Sequence, residues 1–96
     1  MPPTNLYTVR LTASALRELS EIRSYIKAQG APIASETTVA RLADAVEGLK
    51  TFPHRGRLIG RDVREIVTVR PYIIRYRIRS DALQIIRIRH GARTPG

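Results

Sequence analysis

The sequence predicts an α+β domain in which a helix hairpin packs on one face of a small, mainly antiparallel sheet, in the order β-α-α-β-β-β. Three observations predict it. Apolar residues recur every three or four positions as far as Leu49 and every second position from Val63 onward, the periods of helix and strand. Between these regions lies Thr51–Gly60, which contains Pro53, Gly56 and Gly60 and has no period. Finally, 96 residues, 43% of them apolar, suffice for one modest core, so residues 1–96 are read as a single domain.

The elements follow in order. Leu6–Leu11 is rich in strand formers, with Tyr7, Val9 and Leu11 on one face and Thr8 and Arg10 on the other. Thr12 or Ser14 caps the first helix, whose stripe of Ala15, Leu16, Leu19, Ile22 and Ile26 turns the charges of Arg17, Glu18, Glu21 and Arg23 toward solvent. Gly30 suits the left-handed position that ends a helix, and Pro32 suits the first turn of the next. Val39, Leu42, Val46 and Leu49 form the second stripe, and two such helices joined by a few residues make an antiparallel hairpin. Thr51–Gly60 is read as a loop.

Three strands are expected after it: Val63–Val69, Tyr72–Arg79 and Ala82–His90, with Pro71 and the Ser80-Asp81 turn between them. A two-residue turn sets Arg79 opposite Ala82, Arg77 opposite Gln84 and Arg75 opposite Ile86. Ile74, Tyr76 and Ile78 then share the helix-facing side with Leu83 and Ile85, while Arg75, Arg77 and Arg79 line the other side. The adjacent Ile85-Ile86 pair breaks strict alternation, which marks the last strand as central and bulged.

Charge divides the chain. Seventeen basic and eight acidic side chains give a net charge of +9. Residues 1–52 hold six Lys/Arg and five acids, whereas residues 53–96 hold eleven arginines, no lysine and three acids, namely Asp62, Glu65 and Asp81. Such a block attracts polyanions or acidic protein segments, and arginine favours planar acceptors such as carboxylate and phosphate. An open sheet face lined with Arg75, Arg77 and Arg79 is self-repelling unless something acidic meets it, so a partner is expected there. The loop arginines Arg55, Arg57 and Arg61 are read as either a phosphate cradle or solvent-exposed turn residues.

Several chemistries are excluded. The absence of cysteine removes disulfides, thiolate metal sites and thiol nucleophiles. His54 and His90, 36 positions apart, make no metal-binding spacing, and no cofactor motif is present. The helix acids Glu18, Glu21, Glu36, Asp44 and Glu47 are read as solvated charge, and no nucleophile elbow is present. No apolar run approaches the ~18–20 residues that span a bilayer, so a soluble cytoplasmic protein without a membrane partner is expected.

Five segments in series give the chain a family likeness: ASALRELSEI at 13–22, FPHRGR at 52–57, VREI at 63–66, PYIIRYRI at 71–78 and IIRIRHGAR at 85–93. In this the sequence resembles the RelE/ParE superfamily, the toxins and plasmid-stabilisation proteins of type II toxin–antitoxin modules, and is most similar to the ParE branch. The resemblance covers nearly the whole chain and implies the fold already read from periodicity. It implies a toxin silenced by a cognate ParD-like antitoxin with an acidic, disordered tail. In the ParE branch the target is DNA gyrase; in the RelE branch the toxin cuts mRNA on the ribosome.

For a ribonuclease, the resemblance assigns Arg64, His90 and Arg93 as basic, acid and phosphate-clamping groups. It also places Ile73 where RelE-type enzymes carry a sheet arginine, and an isoleucine stabilises no oxyanion. Gly96 is reached before the C-terminal tyrosine that several ribonuclease members carry. A gyrase inhibitor is therefore the first expectation, with no catalytic residue assigned. A ribosome-dependent endoribonuclease is the second and a non-toxic, basic nucleic-acid-binding domain the third, the last weakened by the lack of any basic helix or RNP motif. The residues expected to meet the target or the antitoxin are Arg57, Arg61, Arg64, Arg75, Arg77, Arg79 and Arg93.

Overall fold

The structure, a computed structural model, describes residues 7–91. Its elements are β1 (Thr8–Leu11), α1 (Ala13–Ala28), α2 (Pro32–Gly48), β2 (Arg57–Gly60), β3 (Val63–Ile66), β4 (Tyr72–Arg79) and β5 (Ala82–His90). The five strands form one sheet in the order β1-β5-β4-β3-β2, parallel only between β1 and β5. The predicted α+β architecture holds, with one more strand than the sequence pattern announced. That strand is β2, inside the segment read as a loop. All four of its residues are exposed, so it carries no apolar alternation by which to be recognised.

Thr12 ends β1 and starts α1 in one residue. Its side chain accepts from the Ala15 N–H at 3.0 Å, capping the helix, and its hydroxyl donates to the Ile86 carbonyl at 2.8 Å. Gly30, at φ 82, takes the left-handed turn between the helices, and Pro32 opens α2 without a side-chain cap. The buried Ser35 hydroxyl donates to the Arg23 carbonyl at 2.7 Å and stitches the hairpin together. Leu16, counted in the α1 stripe, is instead 56% exposed, because the sheet meets the Ala15, Leu19, Ile22 and Ile26 side of the helix.

The core lies between the hairpin and the β4–β5 pair. Ile22, Leu42, Val46 and Leu49 from the helices meet Ile66, Tyr72, Ile74, Tyr76, Leu83, Ile85 and Ile88 from the sheet. Each of these side chains contributes roughly 1.5–3 kcal/mol by leaving water. The predicted pairs Arg79 with Ala82 and Arg77 with Gln84 are present. Beyond them the register shifts, so Arg75 faces Arg87 and not Ile86, because Ile86 is the extra residue of a bulge in β5. β3 stops at Ile66, short of the expected Val69, although Val69 returns to the core.

Candidate interaction surface

Alternate residues of the sheet that do not enter the core form its open face. Arg57 on β2, Glu65 on β3, Arg75 on β4 and Arg87 on β5 lie in one cross-strand row. Arg77 and Gln84 continue into Arg10 of β1, and Ile73 pairs with Arg89. The arginine row predicted for β4 is thus real, but it is not the bare cationic strip that was expected. Glu65 accepts from Arg75 Nε at 3.0 Å and Nη2 at 2.6 Å through one oxygen, while Arg57 approaches the other oxygen at 4.0 Å. Asp62 holds a left-handed conformation at φ 46, which sets its carboxylate 3.5 Å from Arg77 Nε and 3.3 Å from Arg79 Nε. The like-charge repulsion across β4 is relieved within the chain because the β3 register brings both acids to the arginine side.

A second correction concerns Glu18. It faces the sheet, not solvent, and its carboxylate accepts from Arg87 Nε at 2.8 Å, from Arg87 Nη2 at 2.6 Å and from the Ile88 backbone N–H at 2.8 Å. β1 ends at Leu11, so among the described residues β5 runs on without a neighbouring strand on that side, and Thr12 and Glu18 supply partners along that edge. The carboxylate beside Arg87 holds the guanidinium pKa above its ordinary value. Next to this contact, α1 and the end of β5 flank an open cleft of about 460 Å³ lined by Glu21, Tyr25, Tyr72, Arg89 and His90 among others. His90 packs edge-on against Tyr72, their rings 5.4 Å apart at 86°.

The segment entering β2 is fastened from below. Tyr76, fully buried, donates its hydroxyl to the Pro53 carbonyl at 2.7 Å and accepts from the Gly56 N–H at 2.8 Å. Burial raises the phenol pKa above its ordinary value, against the lowering effects of the Gly56 bond, Arg64 and Arg55. Arg64 Nη1 donates to the Gly56 carbonyl at 2.8 Å and to the His54 carbonyl at 3.3 Å. Gly56 itself has no alternative: a Cβ there would lie 2.6 Å from the Tyr76 hydroxyl and 2.9 Å from the Glu65 carbonyl oxygen.

The residues singled out from sequence therefore divide. Arg75, Arg77 and Arg79 share the open face and are ion-paired; Arg57 and Arg61 are exposed beside the β2 edge; Arg64 turns to backbone carbonyls; Arg93 lies outside the described residues. Arg55, Arg61, Arg64, Arg70 and Arg89 meet no carboxylate among the described residues. Arg64 pairs with Tyr76 and His90 with Tyr72, which puts them four residues apart along β4 and two strands apart across the sheet. Strand spacing and rise put their backbones roughly 15 Å from each other. Missed from sequence were Asp62, Glu65, Glu18 and Tyr76, which organise the surface. For Glu18 a signal exists, since Ala15, Glu18 and Ile22 follow helical spacing on the buried side.

The site geometry thus rests on a helix hairpin packed on one face of a five-stranded mixed sheet, with arginines on the other face. Over 91% of this chain and 98% of the other, the fold superposes at a TM-score of 0.79 and 20% identity on a solved structure described as the chromosomal ParDE TA system from P. aeruginosa. The family profile of the ParE toxin of the type II toxin–antitoxin system, parDE, matches residues 9–95. The chain is also 44% identical over 82 residues to Toxin RelE2 of Caulobacter vibrioides, covering 85% of this chain and 92% of that one. Putative toxin Y4kP of Sinorhizobium fredii is 42% identical over 86 residues, 86% of each chain. The chain belongs to the ParE toxin family and is a type II toxin of a ParDE-like system. Among the described residues, no helix is long and apolar enough to cross a membrane.

Proposed function

We propose that this toxin acts in the cytoplasm by binding and inhibiting DNA gyrase, and that a cognate ParD-like antitoxin with an acidic tail neutralises it. The observation that carries the reading is the separation of its basic candidates. Arg64 is committed to the carbonyls of His54 and Gly56, and His90 packs on Tyr72 two strands away. A ribonuclease needs a base, an acid and a phosphorane-stabilising cation around one scissile bond. Ile73, where the family resemblance puts an arginine in RelE-type enzymes, faces Arg89 on the open side and offers no charge. What the chain does offer is surface: a braced turn, exposed Arg55, Arg57 and Arg61, and a sheet face whose arginines exceed its acids.

Antitoxin binding follows from the same excess. Glu65, Asp62 and Glu18 neutralise part of the face, while Arg10 and Arg89 have no carboxylate among the described residues. An acidic segment that orders on binding completes the neutralisation. The test expresses the toxin with and without its neighbour-encoded antitoxin and follows growth, plasmid supercoiling and mRNA integrity. Growth arrest with relaxed plasmid and intact mRNA, relieved by the antitoxin, is the expected result. Ribosomal A-site cutting abolished by Arg64→Ala would transfer the protein to the endoribonuclease class, and unaffected growth would favour a non-toxic nucleic-acid-binding domain.

A further inference from the structure

The sheet has two outer strands, and they differ. β1 alternates exposed and half-buried residues, and the Tyr7 N–H beside it donates to the Lys50 carbonyl at 3.4 Å. Among the described residues, β2 is exposed at every position, the sheet ends there, and its backbone bonds no other strand, loop or helix than β3. Proteins ordinarily blunt such an edge, since its open N–H and C=O groups recruit another chain. Here the edge carries Leu58 at 56% and Ile59 at 39% exposure, framed by Arg55, Arg57 and Arg61. The nearby carboxylates are already engaged, Glu65 by Arg75 and Asp62 by Arg77 and Arg79.

We infer that the outer edge of β2 is a docking strand that takes an extended segment of a partner protein, acidic residues alternating with aliphatic ones, as a further strand of the sheet. Three features fix the occupant. Open main-chain groups call for an extended chain, and exposed Leu58 calls for an aliphatic contact. Arg57, with 81% of its side chain exposed, and Arg61 call for carboxylates. A second copy of this chain fits poorly, because two abutting β2 edges bring arginine against arginine. The edge is also preorganised: Tyr76 and Arg64 hold the preceding turn from Pro53 to Gly56, so docking orders little of the toxin itself. The bulge between Leu58 and Gly60 twists the strand and limits the added strand to a short one. The inference deepens the antitoxin reading and rests on it for the identity of the partner, while the surface stands on the geometry alone.

The experiment titrates isotope-labelled full-length toxin with an end-capped synthetic peptide of about eight residues alternating Glu and Val. Amide shifts should concentrate on Arg57–Gly60 and β3, weaken with salt, and vanish for a peptide N-methylated on alternate residues. Arg57→Glu with Arg61→Glu should weaken binding by about tenfold or more, against less than about twofold for Arg17→Glu with Arg41→Glu on the helices. Shifts confined to the helix hairpin or the open sheet face, equal loss from both double variants, or no saturable shift would overturn the inference. The neighbour-encoded antitoxin separates this from the parent reading. If it binds wild type and the Arg57/Arg61 variant equally, the β2 docking strand falls and the toxin reading stands. If it binds neither while the peptide still seats on β2, the antitoxin reading falls and the docking strand stands.

Discussion

Tyr76→Phe removes a single oxygen from the centre of the molecule. That oxygen donates to the Pro53 carbonyl and accepts from the Gly56 N–H, at 2.7 and 2.8 Å, in a place with no solvent exposure. The ring still fills its space, so no cavity forms. Each buried backbone group left without a partner costs about 1–3 kcal/mol, offset in part because the hydroxyl no longer needs desolvation, for a net of about 2–4 kcal/mol. For a domain of this size, that lowers the melting temperature by roughly 8–25 °C. Thermal and urea unfolding followed by circular dichroism measure the loss, and hydrogen exchange should show the Gly56 amide losing protection first. The pH dependence supplies an independent check. The folded phenol has a raised pKa, so above the unfolded value near 10 the unfolded chain sheds a proton that the folded chain retains. Stability conferred by Tyr76 is therefore complete below about pH 10 and declines as pH climbs toward the folded value, and the Phe variant should lack that component. A melting temperature within about 2 °C of wild type, with Gly56 still protected, would refute the bracing role assigned to the hydroxyl.

Other substitutions test neighbouring claims. Gly56→Ala drives a methyl against the Tyr76 hydroxyl and the Glu65 carbonyl, so soluble yield and melting temperature should both fall, by about 2 kcal/mol or more in stability. Glu18→Gln keeps a carbonyl acceptor for the Ile88 N–H but loses the charge facing Arg87; a loss of about 1–2 kcal/mol is expected by urea unfolding, larger for Glu18→Ala. Thr12→Ala should cost about 1–2 kcal/mol and Thr12→Ser far less, because Ser retains both the helix cap and an O–H for the Ile86 carbonyl. Arg89→Glu should weaken the antitoxin complex while leaving the melting temperature unchanged, whereas Arg75→Glu should lower both, since it sets a second carboxylate against Glu65; calorimetry and thermal unfolding on the same samples separate the two.

Much of the fold was legible in the residues, and the reasons are specific. α2 keeps a clean three- and four-residue repeat and β4 a clean alternation, so Val39, Leu42, Val46 and the capping Leu49, and Ile74 and Tyr76, are buried as their spacing predicts. The Ile85-Ile86 pair announced a bulge, and the bulge is there. β2 was illegible because an exposed edge strand needs no apolar face, and because Gly56, read as a loop breaker, in fact marks the close approach of Tyr76. The compensation of the arginine face was hidden for a different reason. It depends on how β3 registers against β4 across the Val67–Pro71 connection, a long-range property that no local period encodes. Parity did place Arg75, Arg77 and Arg79 together; it did not show that Glu65 and Asp62 would arrive on the same side.

Under the proposed function, the toxin works by occupancy, binding its target rather than turning over substrate. Titrating gyrase supercoiling activity with purified toxin, beside a translating extract assayed for mRNA cleavage, measures that directly. Inhibition that saturates near stoichiometric toxin, reverses on adding antitoxin and leaves mRNA whole is the predicted result. Gyrase that runs undisturbed in excess toxin, while a small fraction of that amount cuts ribosome-bound mRNA, would contradict it.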